Sequence, residues 1–174
     1  DIQDGKGSSV TISGYPDDTD WHHIAVVSTN INDAVAYIDG EVASISLNAH
    51  GGFVGDPSAH FYLGRNLAGD EHFNGKLDEL VFWSITRSQG SIQADMANGL
   101  SMEDPDIGYL EMFYDFNEGT GTTINDQSTN NYSGILLNGP SNTPGADGVT
   151  NGPLWAEGFP ITNTALDFDG IDDY

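Results

Sequence analysis

The sequence predicts an all-β protein, an antiparallel β-sandwich with one short helix. Short apolar or alternating runs recur along the 174 residues, with Gly, Asn, Asp and Pro between them, as in β-sandwiches. Only one segment has the spacing of a helix. Hydrophobic residues make up 37% of the chain, which is enough for a packed core, so global disorder is not expected.

The clearest strand signal is a hairpin around Asp39-Gly40. The runs 34–39 (AVAYID) and 41–47 (EVASISL) flank this dipeptide, and glycine accepts the positive φ that a two-residue turn requires. The run 21–28 (WHHIAVVS) places alternate residues on two faces, as a strand does. Further strands are predicted in the first half of the chain at 9–13, 61–63 and 77–83.

The one predicted helix covers residues 88–96. Ser88 is a suitable N-cap, Ile92 and Met96 lie four residues apart on one face, and Asn98-Gly99 favours a helix end. A connector is expected at 100–108, and a long loop rich in Gly and Pro at 138–153. Strands are predicted in the second half at 109–115, 134–137 and 165–169.

Charge excludes several classes of partner. Four basic residues face 27 acidic ones, for a net charge of −23, so phosphate backbones and anionic membranes are repelled. No apolar stretch approaches the roughly 18 residues of a membrane span, so membrane insertion is not expected. The absence of cysteine excludes disulfides, thiolate metal sites and cysteine nucleophiles. A β domain without disulfides favours a bacterial surface protein.

Six motifs stand out along the chain: WHHIAVV (21–27), YIDG (37–40), FNGKLDEL (73–80), YDFNEGTG (114–121), DQSTNNYSG (126–134) and LDFDGIDDY (166–174). Together they resemble the laminin G-like family, which is concanavalin A-like and related to the pentraxins. The resemblance implies a jelly-roll sandwich in a secreted or cell-surface protein that often carries Ca²⁺.

The order of these motifs is unusual for the family they resemble. The closing half of the family pattern comes first and its opening half second. Residues 1–102 are therefore interpreted as the C-terminal part of one laminin G-like domain, and residues 103–174 as the N-terminal part of the next. This indicates a segment of a tandem-repeat surface protein with neighbouring repeat domains as partners. A circularly permuted single domain is the alternative.

A calcium site is predicted from loop acids, because Ca²⁺ takes six to eight oxygen ligands. Asp126, Ser128 and Asn130 offer oxygen ligands at alternate positions, but Asn131 and Leu137 replace the glycine and glutamate that an EF-hand requires. The alternative is an Asx turn that satisfies its own backbone. Asp78 and Glu79 are expected on opposite faces of a strand, where they cannot act as a pair. The further candidate ligands are Asp78, Asp115 and Asp169.

Tyr132 and Trp155 are the candidates for stacking on a sugar ring, and loop or core anchoring is the alternative for both. No enzyme is predicted, because the Glu-x-Asp-x-x-Glu string of related glucanases does not occur. The predicted function is an extracellular adhesion module that binds carbohydrate or a surface polymer and is stabilised by Ca²⁺. The alternative is a structural spacer of an adhesin or surface filament.

Overall fold

A computed structural model describes residues 2–3, 9–29, 33–48, 62–65, 72–136, 153–159 and 164–169. The chain divides into two compact units, each built from two stretches of sequence. Unit 1 consists of Asp1–His60 and Ile85–Tyr109, and unit 2 consists of Phe61–Ser84 and Leu110–Tyr174. The predicted fold class is confirmed, because antiparallel strands and one α-helix make up the described secondary structure apart from a short 3₁₀ turn.

Unit 1 contains a five-stranded antiparallel sheet in the order β1-β2-β5-β4-β3. Among its described residues, Val10 and Ala34 form a buried cluster, against which Val26 and Ile45 pack. The strands are β1 (Ile2–Gln3), β2 (Ser9–Ser13), β3 (Ile24–Val27), β4 (Val35–Ile38) and β5 (Glu41–Asn48).

The predicted hairpin joins β4 and β5. Asp39 and Gly40 both have positive φ, 51° and 77°, as a tight two-residue turn requires. Gly40 is buried, and a Cβ at this position would lie 2.7 Å from Cγ of Gln93. The side-chain amides of Gln89 and Gln93 donate hydrogen bonds to the Gly40 carbonyl, at 2.8 and 3.1 Å. Only glycine therefore satisfies both the turn and this contact.

The predicted helix is confirmed as α1 (Gln89–Asn98), with the Ser88 hydroxyl accepting a hydrogen bond from the backbone N–H of Ser91. Gly99 ends the helix, and its N–H donates to the Asp95 carbonyl. A 3₁₀ turn, Ile107–Tyr109, closes the connector that follows.

Arg87 fixes that connector to the helix. Its side chain is 5% exposed, and its guanidinium binds Asp95 at 2.9 Å, Asp104 at 2.7 Å and Asp106 at 2.7 Å. Asp104 receives bonds from both terminal nitrogens, which is the fork geometry that arginine provides. The acidic side chains Asp104 and Asp106 of the connector are thus paired with a cation of their own unit, the Arg87 guanidinium.

Unit 2 is held together by three small antiparallel sheets. β12 lies between β11 and β6, β7 pairs with β8, and β9 pairs with β10. The buried core consists of Tyr114, Phe116, Ile124, Leu136, Leu166 and Phe168. The strands are β6 (Asn74–Leu77), β7 (Leu80–Trp83), β8 (Leu110–Tyr114), β9 (Thr123–Ile124), β10 (Gly134–Ile135), β11 (Leu154–Glu157) and β12 (Thr164–Asp169).

The single strand predicted at 77–83 is wrong, because it breaks at Asp78-Glu79. Glu79 has φ of 51°, a conformation that cannot continue a strand, so β6 and β7 enter different sheets. The expectation that the two acids lie on opposite strand faces fails for the same reason. Tyr62 and Leu63 of the predicted strand 61–63 are not in a strand, and Phe61 lies outside the described residues.

The two units do not follow the boundary at residues 102 and 103. Strands β6 and β7 come from the range 1–102 and pair with β12 and β8 from the range 103–174. The origin of these ranges in successive repeats stays a prediction, and so does the circularly permuted alternative. Of the predicted loop 138–153 only Pro153 is described, and it is buried.

Candidate functional site

Asp126 organises the segment between β9 and β10 and is only 9% exposed. Oδ1 accepts the backbone N–H groups of Phe113 and Ser128, both at 2.9 Å. Oδ2 lies 2.7 Å from the Ser128 hydroxyl and accepts the N–H of Tyr132 at 2.8 Å. One carboxylate therefore ties strand β8 to two points of the following loop.

Ser128 and Asn130 extend this attachment to the start of β8. The Ser128 hydroxyl lies 3.1 Å from the Glu111 carbonyl and accepts the N–H of Asn130 at 3.2 Å. The Asn130 amide donates to the carbonyls of Leu110 and Glu111, at 3.3 and 2.9 Å. The three residues singled out for alternating spacing are thus brought together, as partners of backbone groups.

These contacts keep Asp126 ionised. Burial on its own would raise the pKa of this carboxyl group, but the hydrogen bonds from Phe113, Ser128 and Tyr132 outweigh it and lower the pKa. A cation at this carboxylate would compete with those donors. The calcium role of Asp126, Ser128 and Asn130 stays a prediction.

Tyr132 is presented by this loop. Its N–H is bound by Asp126, and its carbonyl accepts a hydrogen bond from the phenol of Tyr114, which is buried in the core of unit 2. Its own side chain is 58% exposed. Asn131, which has φ of 58°, and Ser133 flank it and are also exposed. The arrangement is an exposed aromatic side chain on a fixed backbone, with an exposed asparagine and an exposed serine next to it in sequence.

Asp78 and Glu79 lie at the break between β6 and β7, where the negative charge of Asp115 acts on both. Burial is the main reason that their pKa values are raised. The charge of Asp115 raises that of Asp78 further, and the charges of Asp78 and then Asp115 raise that of Glu79 further. The Asp78 carboxylate accepts the N–H of Glu79 at 2.9 Å and that of Phe159 at 2.8 Å. The carboxylates therefore repel one another within one small region.

Gly158 makes this approach of chain segments possible. A Cβ at this position would lie 2.5 Å from Oδ2 of Asp78 and 2.5 Å from the Thr164 carbonyl oxygen. Asp115 completes the region, and its Oδ1 accepts hydrogen bonds from Asn117 N–H at 3.4 Å and from the Gln127 amide at 3.3 Å.

The remaining two predicted site residues lie on the β11–β12 sheet. Trp155 is partly buried against the core of unit 2, and its indole N–H donates to the Gly121 carbonyl at 3.2 Å. This supports anchoring more than exposure to a ligand. Asp169 is the last residue of β12 and stands opposite Asn74 in the register with β6.

Among the described residues, no three His, Asp or Glu side chains are grouped closely enough to hold a metal ion. None of the helices in this part of the chain is long and apolar enough to cross a membrane.

Comparison with known proteins identifies the family. A laminin G family model, described as the concanavalin A-like lectin/glucanases superfamily, matches residues 2–93, more than half of the chain. The chain belongs to the concanavalin A-like lectin/glucanase superfamily. Comparisons with curated proteins and with solved structures give no match. Laminin G-like members of the superfamily are generally binding modules without enzymatic activity and are typically extracellular.

The roles of three residues in this concanavalin A-like chain are not predicted by the sequence. The residue type of Glu79 carries no signal for positive φ, so the sequence predicts a strand there. Gly158 follows a short run without a clear strand pattern, although a lone glycine often marks close backbone approach. Tyr114 lies in a predicted strand, and only its contact with Tyr132 shows that it supports the loop.

Proposed function

We propose that this chain is an extracellular binding module for carbohydrate or a surface polymer, within a larger repeat protein, and that Tyr132 is its contact point. The observation that carries the proposal is the combination of an exposed phenol ring with a backbone fixed at both its N–H and its carbonyl. We call Asn131, Tyr132 and Ser133 the Tyr132 platform.

The fixed backbone favours binding because the loop loses little conformational entropy when a ligand binds. A tyrosine ring adds a large amphipathic surface with few rotatable bonds, which suits stacking on the apolar face of a sugar. Asn131 and Ser133 are exposed and lie next to it in sequence. The Asn131 amide nitrogen already donates to the Thr129 carbonyl at 3.1 Å, so its amide oxygen and the Ser133 hydroxyl are the groups offered to sugar hydroxyls.

Charge narrows the ligand class. A net charge of −23 repels sulfated and uronic polymers over distances set by ionic strength. We therefore expect neutral or amino-sugar glycans to bind in preference to acidic ones.

Calcium belongs to the proposal as a stabilising ion. Asp78 and Asp115 fit such a role better than Asp126, because their mutual repulsion is relieved by a cation. Carboxylates of this kind are the oxygen ligands that Ca²⁺ prefers. The ion would strengthen the region around β6, β7 and Phe159, and we assign it no role in contacting the glycan.

A glycan array tests the proposal. The wild-type chain is expected to bind a subset of neutral glycans, Tyr132→Phe to retain that binding, and Tyr132→Ala to lose it. Tyr109→Ala is the matched control, because Tyr109 is 52% exposed in the other unit. Full binding by Tyr132→Ala would remove Tyr132 from the proposal.

The same array run with a chelator separates the alternative function. Melting that is sensitive to chelator, without any glycan signal from the wild-type chain, would favour a structural spacer. If chelator changes neither the glycan binding nor the melting temperature, Ca²⁺ is removed from the proposal and the binding role remains.

A further inference from the structure

His22 in unit 1 lies between two carboxylates. Its Nδ1 is 2.8 Å from Oδ2 of Asp39, and its Nε2 is 2.9 Å from Oδ1 of Asp18. An ionised carboxylate only accepts hydrogen bonds, and a neutral imidazole has a single N–H. Both contacts are therefore hydrogen bonds only when the ring carries two protons.

The two carboxylates belong to different parts of unit 1. Asp39 is in the β4–β5 turn with φ of 51°, and its Oδ1 accepts the N–H of His23 at 2.9 Å. Its own N–H donates to the His23 carbonyl at 2.8 Å, so the turn and the start of β3 are joined through backbone groups. Asp18 is in the segment between β2 and β3, where its Oδ1 also accepts the N–H of Asp20 at 3.0 Å. The His22 ring therefore links the β4–β5 turn to the segment between β2 and β3.

We propose that His22 is a proton-operated clamp, which as an imidazolium holds the segment 17–21 to the β4–β5 turn and releases it on losing one proton. The segment carries exposed acids; Trp21 at its end is 37% exposed, and Tyr15, two residues before its start, is 51% exposed. Release therefore changes how an aromatic part of the surface of unit 1 is presented.

The electrostatics agree in sign with the geometry. The hydrogen bond to Asp18, followed by that to Asp39, raises the pKa of His22 above its ordinary value of about 6.5. A raised histidine pKa stabilises the folded clamp below the ordinary value, and this stabilisation is lost as pH rises through the folded pKa.

The carboxylates set the acid limit of the clamp. The His22 hydrogen bond, with that from the N–H of Asp20, lowers the pKa of Asp18. Burial would raise the pKa of Asp39, but the hydrogen bonds from His22 and His23 outweigh it and lower the pKa. Their contribution is present above the ordinary aspartate value of about 3.9 and is lost as pH falls through the lowered values. The clamp thus operates from below the ordinary aspartate pKa to beyond the ordinary histidine pKa.

Two groups face the His22 ring among the described residues: Asp18 from its own segment and Asp39 from the turn. His23 is the neighbouring titratable group, and burial lowers its pKa, while Asp39 and Asp95 of α1 act in the opposite direction. The pKa of His22 is therefore raised and that of its neighbour His23 is lowered, so His23 serves as an internal comparison in a titration.

NMR titration of the full chain tests the clamp, from about pH 5 to well above neutrality. We expect the His22 ring to titrate above its ordinary pKa and the backbone amide of Asp20 to change with the same midpoint. Hydrogen exchange at that amide is then faster above the midpoint than the rise in pH alone explains. Asp18→Asn and Asp39→Asn both keep an amide oxygen for their backbone contacts, and asparagine tolerates positive φ at position 39.

Each variant is expected to move the His22 midpoint towards the ordinary value. Asp17→Asn removes the same charge from the neighbouring exposed position and is expected to leave the midpoint where it is. His22→Gln is expected to abolish the pH response of the Asp20 amide. A His22 midpoint at or below the ordinary value, no effect of Asp18→Asn, or an Asp20 amide that does not follow His22 would each overturn the proposal. None of these readouts uses a glycan, so failure here leaves the proposed function untouched.

Discussion

The buried phenol of Tyr114 donates a hydrogen bond to the backbone carbonyl of Tyr132, an exposed residue 18 positions later. Burial, and then the negative charge of Asp126, raises the pKa of Tyr114, so the phenol stays protonated and able to donate. The core of unit 2 thereby fixes the carbonyl of the residue that we propose as its ligand contact.

Removing that donor tests how far the contact stabilises the loop. Tyr114→Phe leaves the Tyr132 carbonyl without this partner and is expected to lower the free energy of unfolding by about 1 kcal/mol. Urea denaturation measures the change. Tyr132→Phe removes a phenol on a residue that is 58% exposed and is expected to have a smaller effect. Equal effects of the two variants would contradict the structural role of Tyr114.

Asp126 is expected to be the more costly residue to change. Asp126→Ala leaves the N–H groups of Phe113, Ser128 and Tyr132 without their acceptor, and we expect a loss of about 3 kcal/mol. Because the pKa of Asp126 is lowered, its stabilisation is present above the ordinary aspartate value and is lost as pH falls.

Acid denaturation of the wild-type chain and of Asp126→Asn measures this pH dependence. The difference in stability between the two is expected to shrink as pH falls below about 4. A difference that stays constant with pH would contradict an ionised, hydrogen-bonded Asp126.

Gly158→Ala tests the close approach of Gly158, the residue after β11, to Asp78 and Thr164. The added Cβ would lie 2.5 Å from both an Asp78 oxygen and a backbone oxygen of Thr164, so the backbone must shift. We expect a loss of about 1–3 kcal/mol, measured by urea denaturation. Gly108→Ala is the control, because a Cβ there meets nothing within 4 Å, and its effect is expected to stay within about 0.5 kcal/mol. Similar losses for the two variants would show that the approach is looser than described.

Asp115→Asn separates repulsion from metal binding. Without Ca²⁺ the variant is expected to melt at a higher temperature than the wild-type chain, because the charge of Asp115 raises the pKa values of Asp78 and Glu79. A carboxyl group with a raised pKa destabilises the folded state at neutral pH, and this penalty falls as pH falls. The amide oxygen that this substitution introduces can still accept the bonds that Oδ1 of Asp115 now accepts.

Adding Ca²⁺ is expected to raise the melting temperature of the wild-type chain and to raise that of Asp115→Asn less. Differential scanning calorimetry with and without chelator measures both effects. A wild-type chain that melts at one temperature in Ca²⁺ and in chelator would contradict the calcium proposal.

Local chemistry predicted some elements well. The turn at Asp39-Gly40 and the cap at Ser88 depend only on residues a few positions apart. The hairpin and α1 could therefore be predicted from the sequence. The break at Asp78-Glu79 could not. It depends on Asp78 binding the N–H of Phe159, 81 residues away, and on Glu79 adopting a φ that its type rarely takes.

The candidate site was predicted in its members and not in its contacts. Alternating spacing singled out Asp126, Ser128 and Asn130 as residues that act together. Their partners are backbone groups both of the loop itself and of β8, and the pairing with β8 cannot be deduced from spacing within the loop. The exposure of Tyr132 and the burial of Trp155 likewise depend on packing that an aromatic residue alone does not specify.

Arg87 has a consequence for proteolysis. It is the last lysine or arginine among the 174 residues, so trypsin leaves residues 88–174 as one fragment. Cutting after Arg87 requires its guanidinium to leave Asp95, Asp104 and Asp106 and its backbone to enter the protease. The rate at which that fragment appears therefore reports how often the connector detaches from the helix, and the chain needs no added label for the measurement.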